Sequence, residues 1–174
     1  RSFDEKLRLE LDGHAQQSEA LRRLFARHGI AVDVSSWRRQ SWFHRLQETR
    51  ADICGFIEES STFIFIDDGT WGPREDIFGR RRAVHLVERD GCDWGAPSDD
   101  AQAIVELDRW RTAGATFIVF AWPSFWWLDH YRAFRRTLDS TFVCVASNDR
   151  LVAFDLTSEA GMPLGSDGQE TPGG

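Results

Sequence analysis

Thr62-Phe63-Ile64-Phe65-Ile66-Asp67-Asp68-Gly69 decides how this chain folds. Five consecutive apolar or β-branched residues ending in a polar turn are what a strand buried on both faces requires, because neither side of its pleat meets water. Working outward, Ala83 to Val87 reads as a second strand. Pro97-Ser98-Asp99-Asp100 reads as a helix start, with Ser98 as N-cap, two carboxylates complementing the helix dipole, and Ile104, Leu107 and Trp110 facing inward. Gly114 ends that helix, and Thr116-Phe117-Ile118-Val119-Phe120 is the next buried strand. Ser124 then caps a helix carrying Trp127, Leu128, Tyr131, Phe134 and Leu138 at helical spacing. Strands alternating with helices imply a parallel sheet. Thr141 to Ala146 and Leu151 to Leu156 flank Asn148-Asp149, two residues able to take positive φ, and so predict an antiparallel hairpin at the sheet edge.

Before the first strand the texture is helical. Phe3 to His28 carries Leu7, Leu11, Leu21, Leu24 and Phe25 among polar positions, which predicts one amphipathic helix, or two with a break at Gly13, ended by Gly29. Ser35 or Ser36 can cap a second helical stretch containing Trp37, Trp42, Phe43 and Leu46, with Ile53, Phe56 and Ile57 on a third. From Thr157 onward Ser, Gly, Pro and Glu dominate, as in a linker. The expected architecture is α/β: a three-layer, Rossmann-like domain over residues 61–156 with a short, mostly parallel sheet and a C-terminal edge hairpin. A helical N-terminal extension over residues 1–60 and a disordered tail over residues 157–174 flank it.

The chain has 174 residues, of which 41% are hydrophobic, enough for one core of ordinary size but not two. A formal net charge of −7 removes the general basic field that holds phosphate backbones or anionic membranes, so nucleic acid is a poor partner. Cys54, Cys92 and Cys144 are widely spaced and odd in number, which suggests neither a disulfide framework nor a zinc site and makes the reducing cytoplasm the natural compartment. No run approaches the roughly 20 apolar residues of a membrane span. The start at Arg1 reads as a piece of a longer protein, whose neighbouring domains would be its first partners.

Ligands of open α/β sheets sit outside the carboxyl ends of parallel strands, where helix N-termini also point. The predicted strand ends therefore supply the candidates: Asp67, Asp68, Thr70 and Trp71; Glu88, Arg89, Asp93 and Trp94; Trp122 and Trp126. Indole offers a broad apolar face and one donor, which suits stacking on sugars, so Trp71, Trp94 and Trp122 are expected to share one exposed rim. Trp110 and Trp127 read as core. Asp67-Asp68-Gly69-Thr70 approaches the Asp-x-Asp-Gly-Thr of haloacid dehalogenase-like phosphatases, but Ile66 stands where their nucleophilic aspartate belongs, which counts against that activity. The two carboxylates otherwise read as a turn, and replacing either by Asn is expected to cost on the order of 1 kcal/mol. With Glu88 they are also the weak catalytic candidates of a metal- or carboxylate-dependent transferase or hydrolase acting on a sugar or nucleotide-sugar. Arg80-Arg81-Arg82 reads as a solvated charge run that could also meet a phosphate or an acidic partner. No serine nucleophile elbow, phosphate loop or metal-ligand spacing is present, so no cofactor and no metal are expected.

Gly79 to Gly91, Asp93-Trp94-Gly95-Ala96-Pro97 and Gly114 to Tyr131 are distinctive as a set. With Arg150-Leu151-Val152-Ala153-Phe154-Asp155-Leu156 they give Thr62 to Leu156 a resemblance to an uncharacterised bacterial α/β domain found in proteins that also carry glycosyltransferase or methyltransferase domains. The resemblance transfers no catalytic residue; the indole-rich rim without a catalytic constellation points to a non-catalytic accessory domain of a larger glycan-processing protein, either binding a carbohydrate-like ligand through the strand-end tryptophans or organising neighbouring domains. A protein-interaction module is the remaining alternative, and an exposed apolar stripe on the first helix would signal it.

Overall fold

Alternation along one strand organises the whole domain. Phe63 and Phe65 of β1 (Thr62–Ile66) bury on one face of the sheet, Ile64 and Ile66 on the other, and all four are at most 4% exposed. The computed structural model describes residues 3–30, 41–72, 74 and 77–159. Before β1 stand α1 (Phe3–Arg27) and α2 (Trp42–Phe56); after it come β2 (Arg82–Val84), β3 (Glu88–Arg89), β4 (Cys92–Asp93), α3 (Asp100–Thr112) and β5 (Ala115–Ala121). A 3-10 turn (Trp122–Ser124), α4 (Trp126–His130), α5 (Arg132–Thr141), β6 (Phe142–Ser147) and β7 (Leu151–Glu159) complete the order.

The main sheet is mixed, in the order β2-β1-β5-β7-β6. β1 pairs parallel with β2 and β5, whereas β7 pairs antiparallel with β5 and β6. Thus β7 lies inside the sheet and only β6 forms that edge of the hairpin, its ladder broken by register shifts at Phe142/Val143 and Cys144/Ala146. One face packs Ala103, Leu107 and Trp110 of α3, Trp127 of α4, and Phe134 and Leu138 of α5. The other packs Leu7 of α1 and Leu46 and Ile53 of α2 against Phe63 and Phe65. The helices before residue 61 therefore share this core. Among the described residues no helix is long and apolar enough to cross a membrane.

Of the two readings of the first helix, the unbroken one holds: α1 runs through Gly13 and ends before Gly29, whose φ of 68° is glycine's left-handed region. Other local expectations are corrected. The two expected helices from Trp42 to Ile57 are one; the caps proposed at Ser35 or Ser36, and Trp37, lie outside the described residues. Asp99, not Ser98, caps α3: its carboxylate accepts from the Gln102 amide, while the Gln102 side chain accepts from the Ser98 amide. The helix expected from Ser124 is interrupted at Tyr131, whose hydroxyl donates to the Pro97 carbonyl at 2.6 Å. α5 then restarts with the Phe134 amide capped by Asp100 of α3 at 2.7 Å. The hairpin loop uses no positive φ at Asn148 or Asp149; the Asn148 side chain instead accepts from the amides of Arg150 and Leu151. β7 continues to Glu159, so the linker expected from Thr157 does not begin there; its residues from 160 onward lie outside the described ones.

Candidate functional site

The second strand stops at Val84, three residues before the expected end, because the His85 amide turns to the Glu88 carboxylate and Leu86 and Val87 both bury instead of alternating. This puts His85 at the carboxyl end of β2, beside Asp67 and Asp68 at the end of β1. The cleft between them has a volume of about 210 Å³, and its walls include Asp67, Asp68, Arg74, His85, Asp93 and Trp127.

Asp67 is fully buried and organises the turn after β1. Its carboxylate accepts from the Gly69 amide at 3.3 Å and the Trp71 amide at 3.0 Å, while its carbonyl takes the Thr70 hydroxyl at 2.6 Å. Arg74 Nη2 closes an ion pair with it at 2.6 Å. The Arg74 side chain is only 9% exposed, and its Nη1 is buried with no hydrogen-bond partner among the described residues. Burial pushes the Arg74 guanidinium below its ordinary pKa, and Asp67 offsets part of that. Asp68 does something else: at a φ of 52° it reaches across to the segment after β5 and accepts from the Trp126 indole at 2.6 Å and the Trp127 indole at 3.0 Å. The local turn expected of both aspartates is made by Asp67 alone; Asp68 ties the end of β1 to α4.

His85 Nδ1 lies 3.1 Å from Asp93 Oδ2, and Asp93 also accepts from the Gly95 amide at 2.9 Å. Desolvation, reinforced by the Arg74 charge, lowers the His85 pKa against the opposing pull of Asp93, which favours the neutral imidazole. Glu88 does not join Asp67 and Asp68 in this cleft; its carboxylate holds the His85 amide at 3.1 Å and borders a second cavity at the open side of β2. Arg89 is likewise directed elsewhere. With Arg109, which donates at 2.6 Å, it clamps Glu106, a carboxylate 3% exposed, whose pKa the Arg89 hydrogen bond holds below its ordinary value despite burial.

The shared tryptophan rim is not what the fold builds. Trp71 is 4% exposed, packed among Phe65, Phe78 and Trp122 on the α1/α2 face. Trp122 is half-buried under Trp42 and the Arg45 guanidinium on that same face. Trp94 is 69% exposed next to the small β3–β4 hairpin, and Trp126 is 44% exposed. Trp127, read from its spacing as core, is buried yet forms one wall of the cleft. A buried ring cannot present its face to a sugar, so Trp71 is packing, and of the expected rim only Trp94 stays open. Sequence reasoning missed Arg74, His85 and Glu106: a strand boundary set three residues late hid His85, and no periodic signal surrounds Arg74.

Among the described residues no group of three or more His, Cys, Asp or Glu side chains is placed to hold a metal. Comparison with protein-family models, with curated proteins and with solved structures returns no match for this chain. Along α1, Leu9, Leu21 and Leu24 are 45%, 40% and 49% exposed.

Proposed function

We propose that this chain is a non-catalytic ligand-binding domain, and that the cleft over β1 and β2 holds an uncharged, polyhydroxylated ring of sugar type. The parallel trio β2-β1-β5 is read as a Rossmann-like core, in which the crevice outside the carboxyl ends of the strands is where ligands belong. The observation that carries the reading is the lining: three carboxylates and one neutral imidazole against a single guanidinium. Such a wall repels anions, and the oxygens of Asp68 and Asp93, each holding one partner, can take a second hydrogen bond from a hydroxyl, while Asp67 is sealed from solvent. At about 210 Å³ the volume is below the roughly 300–1,000 Å³ of sites for drug-sized ligands, so a single ring is the fitting size. Catalysis is disfavoured because each carboxylate is already committed, to Arg74, to two indoles or to His85, and the lining holds no Ser, Cys, Thr or Lys nucleophile. The setting in a larger glycan-processing protein rests on the sequence resemblance, and neighbouring domains would meet the exposed leucines of α1. The three free cysteines are in keeping with a cytoplasmic setting.

Titration of the full chain with glucose, galactose, mannose and N-acetylglucosamine tests this, read by the Trp127 indole N–H and His85 imidazole signals in NMR. A saturable shift of both by at least one neutral sugar, weakened in Asp93→Asn, is expected. Silence of both signals toward all four sugars would refute the reading.

One observation favours an enzyme instead. His85 is neutral, oriented by Asp93, and no described residue bonds its Nε2, which is the arrangement of a water-activating base. Hydrolysis of nitrophenyl glycosides by the native chain, abolished in His85→Asn, would establish that reading in place of the first.

A further inference from the structure

A second cavity, of about 390 Å³, opens beside the free edge of β2 and shares Arg74 and His85 with the cleft as a common wall. Its charge is reversed. Among the described residues, Arg74, Arg81 and Arg82 line it with one carboxylate, that of Glu88, on a chain whose net charge is −7. A local positive field on an acidic protein concentrates anions where the rest of the surface repels them.

Two of the three cationic groups, Arg74 and Arg81, are held in place. Arg81 donates from Nε and Nη2 to the carbonyls of Ile57 at 2.6 Å and Cys54 at 2.9 Å, which fixes its guanidinium at the end of α2. Arg82 lies with its guanidinium 6.0 Å from the Trp110 ring, and Glu88 is turned to the His85 amide. Arg74 is the group that points to a ligand: it is nine-tenths buried, spends Nη2 on Asp67, and leaves Nη1 with no acceptor among the described residues. A buried guanidinium N–H without an acceptor is unfavourable, and a phosphate oxygen is the partner that guanidinium geometry matches best.

We infer that this cavity is a phosphate subsite, so that the domain's ligand is a sugar phosphate whose ring occupies the cleft and whose phosphoryl group lies across the Arg74–His85 wall among the three arginines. This rests on the sugar reading of the cleft for the ring, and on the arginine cavity alone for the phosphate. The Arg80-Arg81-Arg82 run is thereby divided: Arg80 is solvated, with only a 4.0 Å contact to Glu59, while the two residues after it face the cavity.

Calorimetry and NMR on the full chain, with orthophosphate, glucose and glucose 1-phosphate as separate probes, test it. Orthophosphate should bind saturably and more weakly as salt rises, and glucose 1-phosphate should bind about tenfold or more tighter than glucose, the worth of one charge-assisted hydrogen bond. Arg74→Gln leaves Asp67 buried without its partner and can fail to fold, so the deciding variant is Arg82→Glu at the exposed strand edge. It should weaken orthophosphate and glucose 1-phosphate by about tenfold. No orthophosphate binding, or binding that Arg82→Glu leaves unchanged, would overturn the phosphate subsite. Orthophosphate binding with every sugar silent would uphold the subsite and overturn the reading of the cleft, so the two fail separately.

Discussion

Replacing Asp67 by Asn removes the carboxylate that holds Arg74. The two side chains are 0% and 9% exposed, so water cannot simply take the place of the lost partner. Breaking a buried pair from one side costs about 3–5 kcal/mol, because it strands the other charge. The lower end applies here, since Arg74 borders two cavities through which water can reach it, and an Asn oxygen still accepts from one of the Gly69 and Trp71 amides. A loss of about 3 kcal/mol follows, three times the figure expected of a simple turn, equivalent on a chain this long to roughly 6–12 °C in melting temperature. Urea unfolding of Asp67→Asn, Arg74→Met and the double variant measures it. The double variant should be no less stable than Asp67→Asn alone, so that the coupling is as large as the whole loss caused by Arg74→Met, about 3 kcal/mol. A cost under about 1 kcal/mol for Asp67→Asn, or losses that simply add, would show that Asp67 acts only through its turn.

Asp68→Asn keeps the left-handed backbone but can accept from only one of the two indoles, so a loss of about 2 kcal/mol with altered tryptophan fluorescence is expected; unchanged emission would contradict the clamp. Glu106→Gln should cost about 1–2 kcal/mol near neutral pH, because both arginines stay partly solvated. As the Glu106 pKa is lowered by folding, its contribution is present above the unfolded value of about 4.3 and fades as pH falls through the folded one, so native and Glu106→Gln urea midpoints should converge in acid. His85 should titrate below about 6.5 in NMR; with its folded pKa lowered, the native state binds fewer protons than the unfolded one, and stability drops as pH falls below 6.5. His85→Gln should flatten that part of the profile, and an identical slope in both proteins would assign it to another group.

The strands over residues 62–66, 116–120 and 151–156 were legible because burial on both faces leaves a nearly continuous apolar run, which sequence displays without help from the rest of the fold, whereas the last three residues of β7 are polar and exposed and carry no such signal. β2 was not, because its neighbours Leu86 and Val87 are apolar for a different reason, filling the core after the strand has ended. The Asp90-Gly91 pair carries the sequence mark of a two-residue hairpin, and its φ values of 52° and 76° build one between β3 and β4; the pairing is only two residues long on each side, too short to give a periodic signal. The aspartates were found because they follow a strand, but their roles depend on Arg74, Trp126 and Trp127, distant or aperiodic partners that only the fold brings together. The tryptophans misled for the same reason: position after a strand says that a side chain is near the rim and not which way the following loop turns it.

A sheet of five strands has two open sides, and each invites an extended segment from elsewhere to lengthen it. On one side β2 offers only three residues, too few for a foreign strand to grip. On the other β6 is longer and carries Val143 and Val145, 40% and 43% exposed, the composition of a sticky margin. The interruptions of its ladder after Phe142 and around Cys144 bend that margin, so no incoming chain can stay in step with it for more than a few residues. The irregularities that look like defects in the pairing of β6 with β7 thus work against edge-to-edge pairing of this sheet with another copy.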